Sequence, residues 1–466
     1  MVDDGPTRGG DYSLRLNDNQ SDPDKQVGYA STDGVPVNSQ DSFTISAWAY
    51  LTDDKANRVV LSAPGEHASA FTLYYSAALK TWVFNRTDQD RNGPVYIRST
   101  ANDQNPPLRV WTHLVGVFDT QGNADKSDDT IQLFVNGRPQ GKPVVLEDEA
   151  KTYTPWTADR NMMVGRSKVG GDYGEYFLGR VDEVAAWQRP LEHEEIREEN
   201  RLERKGAPSN ELVGHWDATI SSGGQVAESP EDPDDPASTA FPYRRGAMDL
   251  SDSGARLTGE DATSLVLDGK SGYAKASGPV VDEAGSFTVS ARVRLTRSEF
   301  AGKPIGYRGL VAGQATPVGK ESSWALWVEK VADNAYQWKF GRTAVNADGK
   351  VVASAVAPAE DEIGDKEWDT WVDVTGVFDS GLDFTDDEGE QRFGVARLYV
   401  GRFAQQGEDD AGLSRAQRGD GALTAGRGSA KGVTAHYLPG DLAKLRVWVG
   451  AMNREQVAEQ IAEPST

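Results

Sequence analysis

The segment DSFTISAWAYL at residues 41–51 returns as GSFTVSARVRL at residues 285–295, and this return decides the fold class. Three further segments return in the same order and at similar spacing: VWTHLVGVFDT (110–120) as TWVDVTGVFDS (370–380), IQLFVNGRPQG (131–141) as ARLYVGRFAQQ (396–406), and GRVDEVAAWQRPLEHEEI (179–196) as GDLAKLRVWVGAMNREQV (440–457). The chain is therefore a tandem duplication, with a unit of roughly 200–250 residues that is too long for a solenoid repeat.

The repeated segments have the character of β-strands. Most of them alternate apolar and polar residues with a period of two, and Gly, Asp, Asn and Pro separate them. The Asn-Gly pair in VNGRP predicts a hairpin turn. Each repeat closes with one predicted helix, near residues 192–204 and 453–462, and Asn453 with Gln456 forms a capping-box pattern in the second. The sequence predicts an all-β protein of two tandem antiparallel β-sandwiches, each ending in one short α-helix.

The boundary between the repeats is predicted near residue 210, which gives domains at residues 11–210 and 211–463. LVGHWDAT at residues 212–219 is interpreted as the first strand of the second repeat, and the alternative is that it completes the first sandwich. The acidic, proline-rich stretch at residues 227–242 is predicted to be a surface loop of the second domain.

The composition excludes several classes of function. The 466 residues include no cysteine, which excludes disulfides, thiolate zinc sites and cysteine nucleophiles. The net charge of −23 repels phosphate backbones, so we expect no nucleic-acid partner. No stretch approaches the roughly 18 apolar residues of a membrane helix, so we expect no membrane insertion. The polar start MVDDGPTRGG is interpreted as the beginning of a piece of a longer protein.

SFTISAWAYL, WTHLVGVFD, IQLFVNG and GRVDEVAAWQRPL resemble the successive motifs of laminin-G-like jelly-roll domains of the concanavalin A-like superfamily. SLVLDGKSGYAKA, SFTVSARVRL, TWVDVTGVFD and LRVWVGAM resemble the same family more loosely, in the style of tandem modules of large secreted actinobacterial proteins. The resemblance implies two concanavalin A-like jelly rolls and a secreted or cell-surface location. Domains of this family serve as sugar-binding modules, adhesive modules and folded spacers, so the fold alone does not choose the function.

No catalytic constellation is visible in the sequence. The glucanases of the superfamily resemble one another in a strand motif, Glu-apolar-Asp-apolar-Glu, that places acids on one face. AEDEIGDKEWD at residues 359–369 lacks the alternating apolar partners, and GRVDEV has adjacent acids, which a strand sends to opposite faces. The five histidines show no His-x-x-x-His spacing, and no Gly-x-Ser-x-Gly elbow or phosphate loop occurs. We therefore expect a non-catalytic protein.

The family resemblance also implies one calcium ion, which would tie an early loop to a late strand. In the first repeat the loop NDNQSDPDK offers Asn17, Asp18 and Asp22, and the late strand offers Asp182. Carboxylate and amide oxygens of this kind are the ligands that Ca²⁺ prefers. The residue aligned with Asp182 in the second repeat is Ala443, so we expect no equivalent site there.

Asp182 poses a question that bears on calcium. Alternation along GRVDEVAAW places it on one face with Val184 and Ala186, which is the face that looks more buried. A bare carboxylate there would cost several kcal/mol. A calcium ion is one compensation, and the alternatives are hydrogen bonds from backbone amides or an arginine such as Arg180 or Arg15.

Sugar binding usually shows as aromatic rings presented for stacking beside amides and acids. Aromatic residues that alternate within strands are predicted to be core: Trp82, Phe84, Trp324, Trp327, Trp338 and Phe340. Aromatic residues in predicted loops are the candidate ligand-binding residues: Tyr153, Trp156, Tyr173 and Tyr176 in the first repeat, and Tyr307 and Tyr437 in the second. The two loops of the first repeat flank the strand MMVGR and are predicted to form one rim, unless they only cover the edge of the sandwich.

Three interpretations of function follow. The leading one is a non-catalytic extracellular binding or adhesion segment that recognises a glycan or a protein through its loop rims, with calcium in the first domain. The alternatives are a structural spacer of a larger secreted protein and an accessory carbohydrate-binding segment of a glycoside hydrolase. We expect a monomer within a larger polypeptide.

Overall fold

The chain divides into two compact units, Met1–Asn200 and Arg201–Thr466. The structure, a computed structural model, describes residues 2–3, 12–17, 22, 25–149, 153–201, 210–218, 224–229, 246–258, 264–316, 319–385, 391–405, 413, 419 and 421–462. The predicted surface loop at residues 227–242 lies outside the described residues beyond Ser229.

In its described residues, the first unit is built from short antiparallel strands, the two α-helices given below and a 3-10 helix at Lys126–Asp128. The strands are β1 (Val2–Asp3), β2 (Tyr12–Leu16), β3 (Ala30–Ser31), β4 (Phe43–Leu51), β5 (Arg58–Pro64), β6 (Ser69–Ser76), β7 (Thr81–Thr87), β8 (Tyr96–Thr100), β9 (Trp111–Asp119), β10 (Thr130–Val135), β11 (Arg138–Pro139), β12 (Val144–Val145), β13 (Met163–Val164), β14 (Ser167–Val169), β15 (Asp172–Gly174) and β16 (Gly179–Trp187). The helices are α1 (Leu146–Glu149) and α2 (His193–Arg201).

The second unit repeats this plan. Its strands are β17 (Glu211–Asp217), β18 (Gln225–Val226), β19 (Met248–Leu250), β20 (Ala255–Leu257), β21 (Leu265–Asp268), β22 (Ala274–Lys275), β23 (Phe287–Leu295), β24 (Arg308–Ala315), β25 (Ser322–Ala332), β26 (Ala335–Val345), β27 (Val351–Pro358), β28 (Trp371–Thr385), β29 (Gln391–Val400), β30 (Phe403–Ala404), β31 (Leu423–Ala425), β32 (Gly428–Ala430), β33 (Val433–Ala435) and β34 (Pro439–Val449). The helices are α3 (Arg297–Phe300) and α4 (Arg454–Ala462).

The sheet order is the same in the two units. In the described residues, the larger sheet of the first unit has the order β1-β2-β16-β4-β9-β10-β11, and its counterpart has the order β20-β21-β34-β23-β28-β29-β30. The facing sheets have the orders β3-β13-β5-β6-β7-β8 and β22-β31-β24-β25-β26-β27, the latter extended by β18 and β19. The prediction of two antiparallel jelly-roll sandwiches is confirmed.

The strand at residues 211–217 pairs with the last strand of the second unit. β17 runs antiparallel to β34, from Glu211 opposite Val449 to Asp217 opposite Lys444. The interpretation that this segment serves the second repeat therefore agrees with its pairing. The first unit has no described strand at the matching place.

The core of the first unit lies between its two sheets. Phe43 and Phe118 come from the larger sheet, and Phe71 and Phe84 come from the facing sheet. The Phe43 ring centroid lies 4.7 Å from that of Phe71 and 5.6 Å from that of Phe118. Gly116 in β9 makes room for this packing, because a Cβ there would lie 2.5 Å from the Phe84 ring. The aromatic residues predicted to be core are all buried: Trp82, Phe84, Trp324, Trp327, Trp338 and Phe340.

The closing helices agree with the sequence prediction. α2 and α4 follow the last strands of their units, as predicted near residues 192–204 and 453–462. At the start of α4, the Gln456 amide donates to Asn453 Oδ1 and the Asn453 amide donates to Gln456 Oε1, both at 2.9 Å. This reciprocal pair is a capping box. No described helix is long and apolar enough to cross a membrane.

Candidate functional site

Asp182 lies at a β-bulge in β16. The pairing of β16 with β4 matches Asp182 with Trp48 and then Ala185 with Ser46, so one extra residue separates the two pairs on β16. Glu183 has a φ of 47°, and its backbone amide donates to Asp182 Oδ1 at 2.7 Å. β34 bulges at the equivalent place, where Ala443 is the extra residue. The bulge is therefore a feature of the fold that both units share.

The bulge overturns the prediction that Asp182 faces the interior together with Val184 and Ala186. Val181 belongs to the core and Ala186 packs against it, whereas Val184 is 40% exposed. Alternation along the strand fails because the extra residue shifts every later side chain to the other face. Asp182 is only partly buried, and the Glu183 amide supplies a hydrogen bond to its carboxylate.

Asn17 closes the early loop onto a glycine. Its Oδ1 accepts from the Gly28 amide at 2.8 Å, and its Nδ2 donates to the carbonyl oxygens of Gly28 and Phe177. Asp268 has the same role in the second unit, where its Oδ1 accepts from the Gly272 amide at 2.8 Å. Burial would raise the pKa of Asp268, but three backbone amides and a serine hydroxyl lower it to about 2.

Two of the predicted calcium ligands, Asn17 and Asp182, thus accept hydrogen bonds from backbone amides of the protein. Asp22 forms an ion pair with Lys25 at 3.4 Å, and Asp18 lies outside the described residues. The part of the chain that the structure describes contains no group of three or more His, Asp or Glu residues that could hold a metal ion. Calcium in the first unit stays a prediction.

Tyr153 and Trp156 do not lie on an exposed rim with the other predicted tyrosines. Tyr153 is buried in the core, and burial raises its pKa to about 12. Trp156 packs against the core, and its Nε1 donates to the Thr87 carbonyl oxygen at 3.2 Å. The expectation that both residues belong to a loop rim is wrong, because their loop folds inward over the edge of the sandwich.

Tyr153 lies beside a buried arginine that sequence reasoning missed. The Arg86 guanidinium carbon is 3.9 Å from the Phe118 ring centroid, and its Nη2 donates to the Ser39 carbonyl oxygen at 2.7 Å. Burial lowers the pKa of Arg86, while Tyr153 and Asp129 raise it. The charge thus has a carboxylate and a phenol nearby in the core.

The second unit buries an arginine at the equivalent position. The Arg342 guanidinium carbon is 4.3 Å from the Phe378 ring centroid, and its Nη2 is 3.9 Å from Glu283 Oε2. The motif Phe-x-Arg-Thr occurs at residues 84–87 and 340–343, so the sequence did contain a signal. Hydrophobic alternation does not reveal this motif. An arginine in a strand is expected to face solvent, because arginine is rarely buried.

A guanidinium held between two tyrosine rings forms the centre of the rim in the first unit. The Arg166 guanidinium carbon lies 3.2 Å from the Tyr29 ring centroid and 3.7 Å from that of Tyr173. Tyr29 precedes β3, Arg166 follows β13 and Tyr173 lies in β15. Tyr29 remains 46% exposed although Arg166 covers one face of its ring. We call these three residues the tyrosine–arginine stack.

A cleft of about 480 Å³ is lined by residues that neighbour the stack along the chain, such as Gln26 before Tyr29 and Glu175 after Tyr173, and none of the three stack residues is part of this lining. Its lining includes Gln26, Ala56, Asn57, Arg58, Glu175 and Tyr176. Asn57 Nδ2 donates to Glu175 Oε1 at 2.7 Å, and the hydroxyl of Ser167, which follows Arg166, donates to Oε2 at 3.0 Å. Arg58 pairs with Asp53 and donates to the Tyr176 carbonyl oxygen at 3.1 Å. The polar lining is thus fixed by its own hydrogen bonds.

Of the predicted tyrosines, Tyr173 belongs to the stack and Tyr176 lines the cleft, and the structure adds Tyr29 to the stack. Sequence reasoning did not single out Tyr29, yet a signal was present. Gly-Tyr-Ala occurs at residues 28–30 and again at 272–274, directly before the equivalent strands β3 and β22.

The second unit has a reduced version of the stack. The Arg427 guanidinium carbon lies 3.5 Å from the Tyr273 ring centroid. Thr434 in β33 stands where the first unit has Tyr173 in β15. The predicted residues Tyr307 and Tyr437 lie together, since the Tyr307 hydroxyl donates to the Tyr437 carbonyl oxygen. Burial raises the pKa of Tyr307 above its usual range.

His113 is a packed residue. Its side chain is buried, its Nε2 lies 2.8 Å from Ser46 Oγ, and its ring centroid is 5.2 Å from that of Trp48. Burial lowers the pKa of His113 to about 3, so the ring is neutral near pH 7. These contacts make His113 part of the packing of the larger sheet.

The sequence profile of the family described as the concanavalin A-like lectin/glucanases superfamily matches residues 24–197 and 268–458. The two matches cover well over half of the chain. The chain belongs to this family. No curated protein sequence matches it significantly.

Several solved structures are similar in part. Domain 4 of AbnA, a GH43 extracellular arabinanase from Geobacillus stearothermophilus in complex with arabinotriose, is 13% identical with a TM-score of 0.30, over 55% of this chain and 99% of that chain. The CBM40 of the Ruminococcus gnavus IT-sialidase bound to α2,6-sialyllactose is 16% identical with a TM-score of 0.27, over 36% and 92%. The botulinum neurotoxin type G receptor-binding domain is 12% identical with a TM-score of 0.33, over 54% and 50%. At these scores the likenesses carry no argument about ligands.

Proposed function

We propose that the chain is a non-catalytic binding protein whose first unit binds a saccharide at the tyrosine–arginine stack and the cleft lined by Glu175. The observation that carries the proposal is the Tyr29 ring. One of its faces is held by Arg166, and the side chain is still 46% exposed. An aromatic ring that is fixed on one side and open on the other is a platform for the apolar face of a sugar.

The cleft supplies the polar half of such a site. Glu175 accepts hydrogen bonds from Asn57 and Ser167, and each carboxylate oxygen retains a further lone pair for a ligand hydroxyl. Because protein contacts already orient these groups, little side-chain entropy is lost on binding. An apolar platform beside a few fixed polar groups is the usual composition of a small-molecule site.

The Asn17 contact supports the proposal from below. It holds Gly28, the residue before Tyr29, at 2.8 Å, and so fixes the start of the segment that carries the ring. The same contact between Asp268 and Gly272 fixes Tyr273 in the second unit. This role explains an asparagine in the early loop without an ion.

Glycan-array binding of the full chain tests the proposal. Tyr29→Ala removes the platform, and we expect affinity for the bound saccharides to fall about tenfold, which is ~1.4 kcal/mol. Tyr29→Phe keeps the ring and should retain most of the affinity. Phe403→Ala is the matched control, because Phe403 is a 69% exposed aromatic residue on β30, outside the stack.

Two outcomes would overturn the proposal. One is the absence of binding to any saccharide on the array, which would favour the spacer interpretation. The other is binding that Tyr29→Ala and Phe403→Ala leave equally unchanged. An extracellular site of action, which the family resemblance implies, is part of the same proposal.

A further inference from the structure

We propose that the stacked arginines, Arg166 and Arg427, are carboxylate receptors, and that the chain binds an acidic saccharide once in each unit. This inference rests on the proposed function. It adds the chemical class of the ligand and a second binding site that is built on Tyr273 and Arg427.

The stacked arginines differ from other arginines of the chain in their ion pairing. Within the described residues, neither Arg166 nor Arg427 has an ion pair with a carboxylate, although the chain has 72 acidic residues. Other arginines of the two units are paired: Arg58 with Asp53 in the first, and Arg308 with Glu329 at 3.2 Å in the second. The stacked guanidiniums therefore hold hydrogen-bond donors that no described carboxylate uses.

The contacts of Arg166 show which donors these are. Its Nη2 reaches the Met163 sulfur at 3.6 Å, which is a weak acceptor, and its Nε is buried without a hydrogen-bond partner among the described residues. The edge that can meet a ligand is therefore the one formed by Nη1 and Nη2. No described side-chain hydrogen bond occupies the Arg427 guanidinium, whose described contact is the Tyr273 ring.

Stacking against a tyrosine ring leaves the edge of a guanidinium available to a ligand. A guanidinium is planar, and its five N–H donors point outward in that plane. When a tyrosine ring covers its face, the edge remains for a ligand. That edge matches the two oxygens of a carboxylate in a bidentate pair, which is stronger and more specific than a hydrogen bond to a neutral hydroxyl. The tyrosine at the same time offers its ring to the sugar.

Comparison of the two units shows which parts of the rim they share. The two units differ at other positions of the rim: where the first unit has Glu175 and Tyr173, the second unit has His436 and Thr434. What both keep is one tyrosine ring, one guanidinium and the side-chain contact that fixes the glycine before the tyrosine. The chemistry shared by the two rims is thus an anion receptor beside an apolar platform.

The lack of a second ring sets the order of affinity. Tyr173 holds Arg166 from the other side in the first unit, whereas Arg427 has one described ring contact. A guanidinium held on both faces loses less freedom on binding, so the first site should be tighter. The net charge of −23 repels an anionic ligand. Salt screens most of this repulsion at physiological ionic strength, because charges more than about 8 Å from the ligand are beyond the Debye length.

Isothermal titration of the full chain with trigalacturonate and with its methyl ester tests the inference. The two probes share one skeleton and differ in charge. We expect two unequal sites per chain for the acid and at least about tenfold weaker binding of the ester. Arg166→Gln should remove the tighter site and Arg427→Gln the weaker one. Arg166→Lys should recover only part of the affinity, because lysine cannot form the bidentate pair.

A second pair of probes separates the sources of the carboxylate. Sialyllactose against lactose tests a sialate, as trigalacturonate against its ester tests a hexuronate, and preference for either acid supports the inference. Equal binding of the acid and its ester, together with equal binding of sialyllactose and lactose, would overturn the inference. Failure of both acids to bind would also overturn it. So would a preference for the acid that remains after both arginines are replaced by glutamine. Saccharide binding that depends on Tyr29 without preference for acid would overturn this inference alone and leave the proposed function standing.

Discussion

Arg86 and Arg342 are buried at equivalent positions, and each lies over two phenylalanine rings that are paired across neighbouring strands: Phe43 with Phe118, and Phe287 with Phe378. The carboxylate near each comes from a different place: Asp129 follows the 3-10 helix of the first unit, and Glu283 precedes β23 in the second. Removing one partner of such a pair leaves an uncompensated buried charge, which costs more than the pair itself contributes.

Glu283 should make the stability of the second unit depend on pH. Burial raises its pKa to about 7, although Arg342, Ser323 and Gln314 pull it down. The folded state therefore holds a proton that the unfolded chain, with its pKa near 4.5, releases. The free energy of unfolding is highest below the unfolded pKa and falls as the pH rises through the folded one, by about 3 kcal/mol in total.

Urea unfolding of the full chain and of Glu283→Gln at about pH 5 and about pH 7.5 measures this effect. The glutamine cannot titrate, so the difference between the two proteins should change with pH in the direction given above. Asp129, whose pKa burial raises to about 6, contributes equally to both proteins and cancels. A difference that does not change with pH would show that Glu283 is not the titrating group.

Individual residues were the hardest features to predict from the sequence. Periodicity correctly placed Trp82 and Phe340 in the core, since a strand with one buried face alternates. It failed for Tyr153, because a loop that folds inward has no period, and for Arg86, because a buried charge depends on partners from distant segments. Tyr29 could have been found by comparing the repeats, since Gly-Tyr-Ala returns at 272–274.

At the level of elements, the bulge in β16 is the feature that alternation alone cannot predict. A bulge inserts one extra residue into one of two paired strands, and Glu183 takes a φ of 47° to provide the kink. The turn in VNGRP could be predicted, because a two-residue hairpin turn needs positive φ at both central residues and Asn-Gly favours that conformation. Asn136 and Gly137 both have positive φ between β10 and β11.

The role of Asp182 can be separated from calcium binding by two substitutions. Asp182→Asn keeps the oxygen that accepts from the Glu183 amide, whereas Asp182→Ala removes it. We expect the alanine variant to lose ~1 kcal/mol of unfolding free energy and the asparagine variant to lose less than half of that. Thermal unfolding with and without added Ca²⁺ measures both. Equal losses in the two variants, together with a melting temperature that Ca²⁺ raises only in the unsubstituted chain, would support the calcium ligand instead.

The Gly-Val-Phe-Asp stretch, which occurs in both repeats, shows which features of a strand the sequence predicts. Gly116 and Gly376 sit where a Cβ would lie 2.5 Å and 2.2 Å from the rings of Phe84 and Phe340. Both glycines therefore belong to the contact between facing sheets. The repeat predicted the strand, but the reason for its glycine depends on the ring across the core.

At the scale of the whole molecule, duplication preserved the sheet order of both units while their rims diverged. The stack in the first unit has two rings and a cleft lined by its neighbours along the chain, and the stack in the second has one ring. The sequence predicted the duplication and the sandwiches because they depend on patterns repeated over many residues. It did not predict the stacks, because Tyr29 and Arg166 are 137 positions apart and meet only after folding.

A crystal structure of the full chain grown with an acidic trisaccharide tests the central claim most directly. The account predicts density for one sugar ring of the trisaccharide on the exposed face of Tyr29, with the carboxylate of a neighbouring sugar at the edge of the Arg166 guanidinium and hydroxyls directed at Glu175. Density for the saccharide elsewhere on the first unit, with the Tyr29 ring and the cleft free of ligand, would contradict it.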